Sequence, residues 1–292
     1  MATDYFLYSG DIPFVDYPEF IDFVEREKKS TNVGLVLSTN GGYAKATYKM
    51  GRCLQSRYED VKIFIPGMCK SAGTILAIAA NELIFSPSGE LGPVDVQMEK
   101  KDSIAEYESG LEMNETFKYL ESRSREVFHG LVKEINQNSE GKISFQVSSS
   151  LAREIASSIF NPIFSQIDPD MIGKRARAMK IAEEYGIRLD RRFENLRNAR
   201  YALDFLTWGC PSHDFVIDMN EASLLFKNVR ETSRAEENLV RQFRDPSDEI
   251  RMEVLTEEFQ KIESKEAKNS HRNSKGSQTT TNERKGESRD TA

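Results

Sequence analysis

Three short stretches of the 292-residue chain hold residue types able to do hydrolytic chemistry. In Gly67–Met68–Cys69–Lys70–Ser71–Ala72–Gly73–Thr74, Ser71 stands between small residues at an expected strand-to-helix junction. A serine there can cap the next helix with its hydroxyl. Alternatively it can present that hydroxyl as a nucleophile, with the helix N-terminus aimed at developing negative charge. Asn40–Gly41–Gly42 places adjacent glycines after an apolar run. That pair reads as an ordinary turn, or as backbone N–H groups brought close enough to bind an oxyanion. Leu91–Gly92–Pro93–Val94–Asp95–Val96–Gln97 sets the carboxylate of Asp95 among apolar residues and turn formers, where it needs a partner.

A nucleophilic serine needs a base, and the chain has three histidines. His271 lies in a polar tail and His129 in a long charged helix. His213 lies in a turn, among Pro211, Ser212 and Asp214, just ahead of an apolar run. Taken alone, a histidine in a turn reads first as a surface or capping residue. Neither the GxSxG elbow nor the GxxxxGK[ST] phosphate loop is present around Ser71.

The elements that must position these residues alternate in type. Residues 33–37 and 61–65 are short apolar runs closed by turn formers, so buried strands, and 83–85 is a third. Residues 44–57 carry Ala46, Met50 and Leu54 at helical spacing, and 72–81 reads as a helix of small residues. Strands alternating with helices over so short a span indicate βαβ units and a mainly parallel sheet, whose sites lie at the C-terminal strand ends. A long charged helix is expected over 104–138, with Leu111, Phe117, Leu120, Val127, Phe128, Leu131 and Ile135 on its buried side. Helices are also expected over 149–160, 170–185 (capped by Asp168 or Asp170), 195–206 and 221–229 (capped by Asp218), with a strand at 215–217.

Composition narrows the function classes. The formal net charge is −7, which argues against nucleic acid as the main partner. No run of about 18 apolar residues exists, and the first residues lack a basic region followed by an apolar one, so neither a membrane span nor a signal peptide is expected. Cys53, Cys69 and Cys210 are odd in number and far apart, which suits a reducing compartment and no zinc site. Together these point to a soluble cytoplasmic protein without a metal or cofactor. Residues 263–292 hold two apolar residues with seven basic and five acidic ones, and read as a disordered tail. The remaining body, residues 1–262, then carries −9 and has nearly ordinary globular composition.

The combination of Asn40–Gly41–Gly42, Lys70–Ser71–Ala72–Gly73–Thr74 and the Leu91–Gln97 stretch resembles the Clp-protease-like superfamily, and within it the serine dehydrogenase proteinases, relatives of the SppA-type signal peptide peptidases. Residues 178–186 and the stretch 211–218 resemble the same family, so the likeness runs over about residues 33–222. It implies a ClpP/crotonase-type α/β fold of stacked βαβ units with additional helices that support homo-oligomers. It also implies a serine endopeptidase acting on protein or peptide substrates. Carried over by position, Ser71 is the nucleophile, Asp95 the orienting carboxylate and His213 the general base. The N–H groups of Gly42 and Ala72 form the oxyanion hole. Asp214 departs from the pattern, since a glycine is more usual beside the histidine. A Ser–Lys dyad with Lys100, Lys101 or Lys118 as base is the alternative, alongside a non-catalytic scaffold and acyl-CoA chemistry on the crotonase fold.

Overall fold

The computed structural model describes residues 2–12, 16–94, 98–99, 107–108 and 110–264. The chain opens with β1 (Thr3–Ser9), α1 (Asp16–Glu27), β2 (Asn32–Ser38), α2 (Ala44–Arg57) and β3 (Asp60–Ile65). A second layer begins at β4 (Met68–Cys69), which leads into α3 (Ala72–Ile78), then β5 (Glu82–Phe85) and β6 (Glu90–Leu91). A two-residue hairpin, β7 (Met98–Glu99) with β8 (Tyr107–Glu108), precedes the long helices α4 (Gly110–Asn138), α5 (Phe145–Phe164) and α6 (Pro169–Asp190). The chain continues through α7 (Ala199–Asp204), a π-helical turn (Phe205–Gly209), α8 (Met219–Leu225), β9 (Val229–Glu231), α9 (Arg234–Val240) and β10 (Arg251–Val254). Residues 256–264 form a last helical stretch.

The main sheet has the order β10-β1-β2-β3-β5-β9, parallel throughout except for the antiparallel edge strand β10. Both faces are covered, which is why the strands read as continuous apolar runs. Alternate residues go to opposite sides. Phe6, Tyr8, Leu35, Leu37, Ile63 and Phe85 pack with Phe20, Met50 and Leu76 of the first three helices. Tyr5, Leu7, Val36, Phe64 and Ile84 pack with Val240, Phe243, Leu255 and Phe259 from the C-terminal part of the chain. This mixed α/β architecture, a mostly parallel sheet with many helices, is the fold class expected from the sequence.

Several boundaries differ from expectation, each for a local reason. β1 and α1 were not foreseen; β1 is buried on both faces, so it shows no alternation. The helix expected from residue 195 starts at Ala199, because Asn198 caps it by accepting the Tyr201 N–H at 3.1 Å while Leu196 bridges to Phe226. The helix expected over 221–229 ends at Leu225, and Val229 instead enters the main sheet as β9. The strand expected at 215–217 is a single bridge at Ile217. Asp168 is the residue that caps α6, and that helix runs past Gly186 to Asp190. On α4, Phe117 is exposed, and Leu120, Val127, Phe128, Leu131 and Ile135 are only half-buried, so the helix covers less than its pattern suggests.

The first two residues of the segment read as a tail belong to the last helical stretch. The final helical stretch reaches residue 264, and Glu263 accepts a hydrogen bond from the Tyr5 hydroxyl at 2.7 Å. Residues 265–292 lie outside the described residues.

Candidate active site

A ladder of backbone pairings runs across the C-terminal ends of the sheet and ties the candidate residues together. Ile12 bridges Gly42, Thr39 bridges Cys69, Cys69 pairs with Leu91, and Leu91 bridges Ile217. Each step links segments far apart in sequence. The second, small sheet (β4 and β6) is the middle of this ladder.

Ser71 follows β4 directly and opens α3. Its backbone takes φ 49° and ψ −110°, a left-handed value shared among the described non-glycine residues only with Glu140 and Glu194. Such a conformation costs on the order of 1–3 kcal/mol and persists only where the surroundings impose it. Here the Lys70 N–H bonds the Thr39 carbonyl at 2.9 Å, the Gly73 N–H the Lys70 carbonyl at 2.8 Å, and the Thr74 N–H the Ser71 carbonyl at 3.0 Å. Ser71 is buried and occupies the N-cap position, yet its side chain makes no capping hydrogen bond. The capping role open to it from sequence is therefore not the one it plays.

The glycine turn packs directly on this serine. Gly41 has φ 119°, and a Cβ placed on it would stand 2.7 Å from the Ser71 Cβ and 3.2 Å from its Oγ. Gly42, at φ 139°, passes so near Ile12 that a Cβ would stand 2.1 Å from that carbonyl oxygen. The bridge to Ile12 uses the Gly41 carbonyl (2.7 Å) and the Tyr43 N–H (2.8 Å). It leaves the Gly42 N–H outside the ladder. Ala72 is the first residue of α3, where the helix makes no use of the N–H.

His213 is half-buried in the turn between the π-helical segment and the Ile217 bridge. Ile217 and Leu91 exchange both backbone hydrogen bonds, at 2.9 and 3.0 Å. The Val94 N–H donates to the Leu206 carbonyl in the π-helical turn at 2.7 Å, fastening the same two segments a second time. Asp95, Lys100 and Lys101 lie outside the described residues. Lys118 is exposed on α4, and Lys70 turns to Glu90, with Nζ 2.8 Å from the carboxylate. Cys69 lies fully buried two residues before Ser71; burial pushes its thiol well above the usual range against the opposing charge of Lys70.

Sequence reasoning missed three contributors. Thr39 accepts the Gly41 N–H on its Oγ1 at 3.0 Å, a local side-chain turn that a threonine two residues before a glycine could have signalled. Thr74 is buried and bonds Gly92. The π-helical turn carries no sequence signature, although such turns gather at functional sites. Among the described residues, no group of three His, Cys, Asp or Glu could hold a metal ion, and no helix is long and apolar enough to cross a membrane.

Comparison with known proteins gives the site a context. Two proteins of Methanocaldococcus jannaschii, the uncharacterized proteins MJ0137 and MJ1495, are each 28% identical over 87 residues. The match covers 30% of this chain and 30% of each relative, so the chain spans under a third of their length. Among solved structures, a membrane-bound stomatin-specific protease (1510-N) is similar at 19% identity, over 51% of this chain and 66% of that one, with TM-score 0.28. A variant of that protease in complex with a substrate peptide is similar at 18% identity over 43% and 60%, also at TM-score 0.28. Residues 15–112 match the family described as ClpP-like SDH-type serine proteinase. The segment that holds Gly41, Gly42 and Ser71 is thus similar to the ClpP-like SDH-type serine proteinases.

Proposed function

We propose that the protein is a serine peptidase in which Ser71 attacks a peptide carbonyl to give an acyl-enzyme that water then hydrolyses. The observation carrying this reading is Ser71 itself: buried, held at a positive φ at a strand-to-helix junction, making no cap, and packed against a glycine turn. The N–H groups of Gly42 and Ala72 bind the developing oxyanion, each donor worth about 3–4 kcal/mol of barrier.

His213 serves as general base and Asp95 orients it. In support, both positions are four residues from the Leu91–Ile217 bridge. Of the lysines offered as the alternative base, Lys118 is exposed on α4, and Lys100 and Lys101 lie outside the described residues. In the proposed cycle His213 takes the Ser71 proton during attack and returns it to the leaving amine.

Substrates are protein or peptide chains, and the working form is a homo-oligomer joined through α5. Val147, Leu151, Ile155, Ile159 and Ile163 recur every four residues on that helix and remain 38–50% exposed. The row is symmetric about Ile155, so a two-fold axis there would lay Val147 of one copy over Ile163 of the other and Leu151 over Ile159. Such rows at four-residue spacing interdigitate well between helices. Arg153 and Glu154 are the only charged residues of α5, which disfavours a lipid surface, since membrane-lying helices carry many Lys and Arg. Three free buried thiols suit the reducing cytoplasm as the compartment.

A fluorophosphonate probe read by intact mass tests the reading. One adduct on Ser71 is expected, lost in Ser71→Ala and slowed in His213→Ala. Well-folded protein that stays unlabelled overturns it. Labelling that survives His213→Ala undiminished but is lost in Lys100→Ala, Lys101→Ala or Lys118→Ala moves the base to lysine.

A further inference from the structure

Two side chains of the Ser71 turn have no part in the proposed chemistry, and both grip the same neighbouring segment. Thr74, on the first turn of α3, is fully buried. Its Oγ1 is 2.7 Å from the Gly92 carbonyl oxygen, to which it donates, and 3.3 Å from the Gly92 N–H, which it accepts. It also lies 3.3 Å from the Cys69 carbonyl. One hydroxyl therefore satisfies both backbone groups of Gly92 while touching the strand that carries the serine.

Lys70, the residue before Ser71, reaches the same segment. Its stem lies across Gly92, where a Cβ would come within 2.6 Å of the Lys70 Cδ, and its ammonium pairs with Glu90 at 2.8 Å. Glu90 and Gly92 flank Leu91, the residue through which the ladder passes from Ser71 toward His213. Gly92 also begins the stretch that leads, through Val94, to position 95.

We infer that Thr74 and Lys70 are positioning residues: they clamp the Glu90–Gly92 segment against the nucleophile turn and so fix the spacing between Ser71 and the groups that orient its base. The inference rests on the peptidase reading and adds to it. The backbone pairing of β4 with β6 consists of two residue pairs, Met68–Glu90 and Cys69–Leu91, too short to hold that spacing alone. Thr74 supplies a tie from α3 and Lys70 a second from the residue before Ser71. A displacement of about 1 Å in such a constellation can cost about 100-fold in rate.

The test compares Thr74→Val, which keeps shape and loses the hydroxyl, with Thr74→Ser, which keeps the hydroxyl. Lys70→Met, which keeps the stem and loses the charge, serves as the third variant. Full-length proteins are assayed for the second-order rate of fluorophosphonate labelling across pH. Thr74→Val is expected to label about 10- to 100-fold more slowly, Thr74→Ser to recover most of the rate, and Lys70→Met to fall between. The pH profile separates positioning from stability. A carboxylate released from the histidine no longer supports the imidazolium, so the acidic limb moves to lower pH in Thr74→Val. A rate and acidic limb unchanged in both Thr74→Val and Lys70→Met overturn the clamp while leaving the peptidase reading intact. If Thr74→Val does not fold, an unchanged Lys70→Met overturns it alone. Wild-type protein that never labels overturns both.

Discussion

Gly41 and Ser71 are in contact through the face where glycine has no side chain: a Cβ on Gly41 would stand 2.7 Å from the Ser71 Cβ. The glycine turn and the serine turn are thus one packed unit, although 30 positions separate them in sequence. Gly41 also takes φ 119°, a value alanine adopts only under strain. Gly41→Ala is therefore expected to slow probe labelling of Ser71 by about 100-fold or more. Labelling at the wild-type rate would show that the turn does not shape the site.

The α5 row gives a prediction about assembly. Ile155→Glu places a carboxylate at the proposed two-fold axis, opposite its own copy. Light scattering is expected to show an oligomer for the wild type and a smaller species for the variant. The residue is 43% exposed, so the fold itself has little to lose. A wild-type monomer, or an oligomer indifferent to Ile155→Glu, would count against α5 as the joint.

The thiols should be inert in the folded protein. Burial pushes the Cys53 thiol up to about 11, and burial with a contribution from Glu221 pushes Cys210 up to about 12. Cys69 is raised by burial further still. Because the thiolate is the reactive form, a disulfide reagent at neutral pH should find almost no reactive thiol until denaturant is added. Three thiols per chain should then react. Rapid reaction of one cysteine in native protein would contradict the packing around it.

Acid should weaken one particular tie. Burial alone would raise the Glu236 carboxyl, but the Arg230 guanidinium and the Ser233 N–H outweigh it and hold the group below its usual range. Arg230 bonds both carboxylate oxygens at 2.8 Å, and Ser233 completes a capping box for α9. A depressed carboxyl contributes stability above its unfolded value and loses it as pH falls through the folded one. Chemical denaturation of wild type against Glu236→Gln should show a gap that is present at neutral pH and closes in acid. A gap that is constant with pH would assign the effect to packing.

Much of the candidate site was legible because its signals are local. A serine among small residues at a strand-to-helix junction and paired glycines after an apolar run each depend on a few neighbouring positions. The parallel α/β class followed for the same reason, from short runs of fixed period. What stayed hidden depends on distant partners. β1 is buried on both faces and showed no alternation; β9 looked like the end of a helix until Leu83, Ile84 and Phe85 offered it a strand to pair with.

By itself, then, the sequence determined which residues could react and which segments would turn, since rotamer, backbone and capping preferences act within a few residues. The tertiary structure alone decided that Ser71 does not cap its helix and that Gly41 lies against it. It also decided that Thr74 and Lys70 share one neighbour and that a bridge from Leu91 to Ile217 leads toward His213. These are relations between segments up to 126 residues apart, the span from Leu91 to Ile217. They exist only once burial of both sheet faces has compensated the entropy of bringing those segments together.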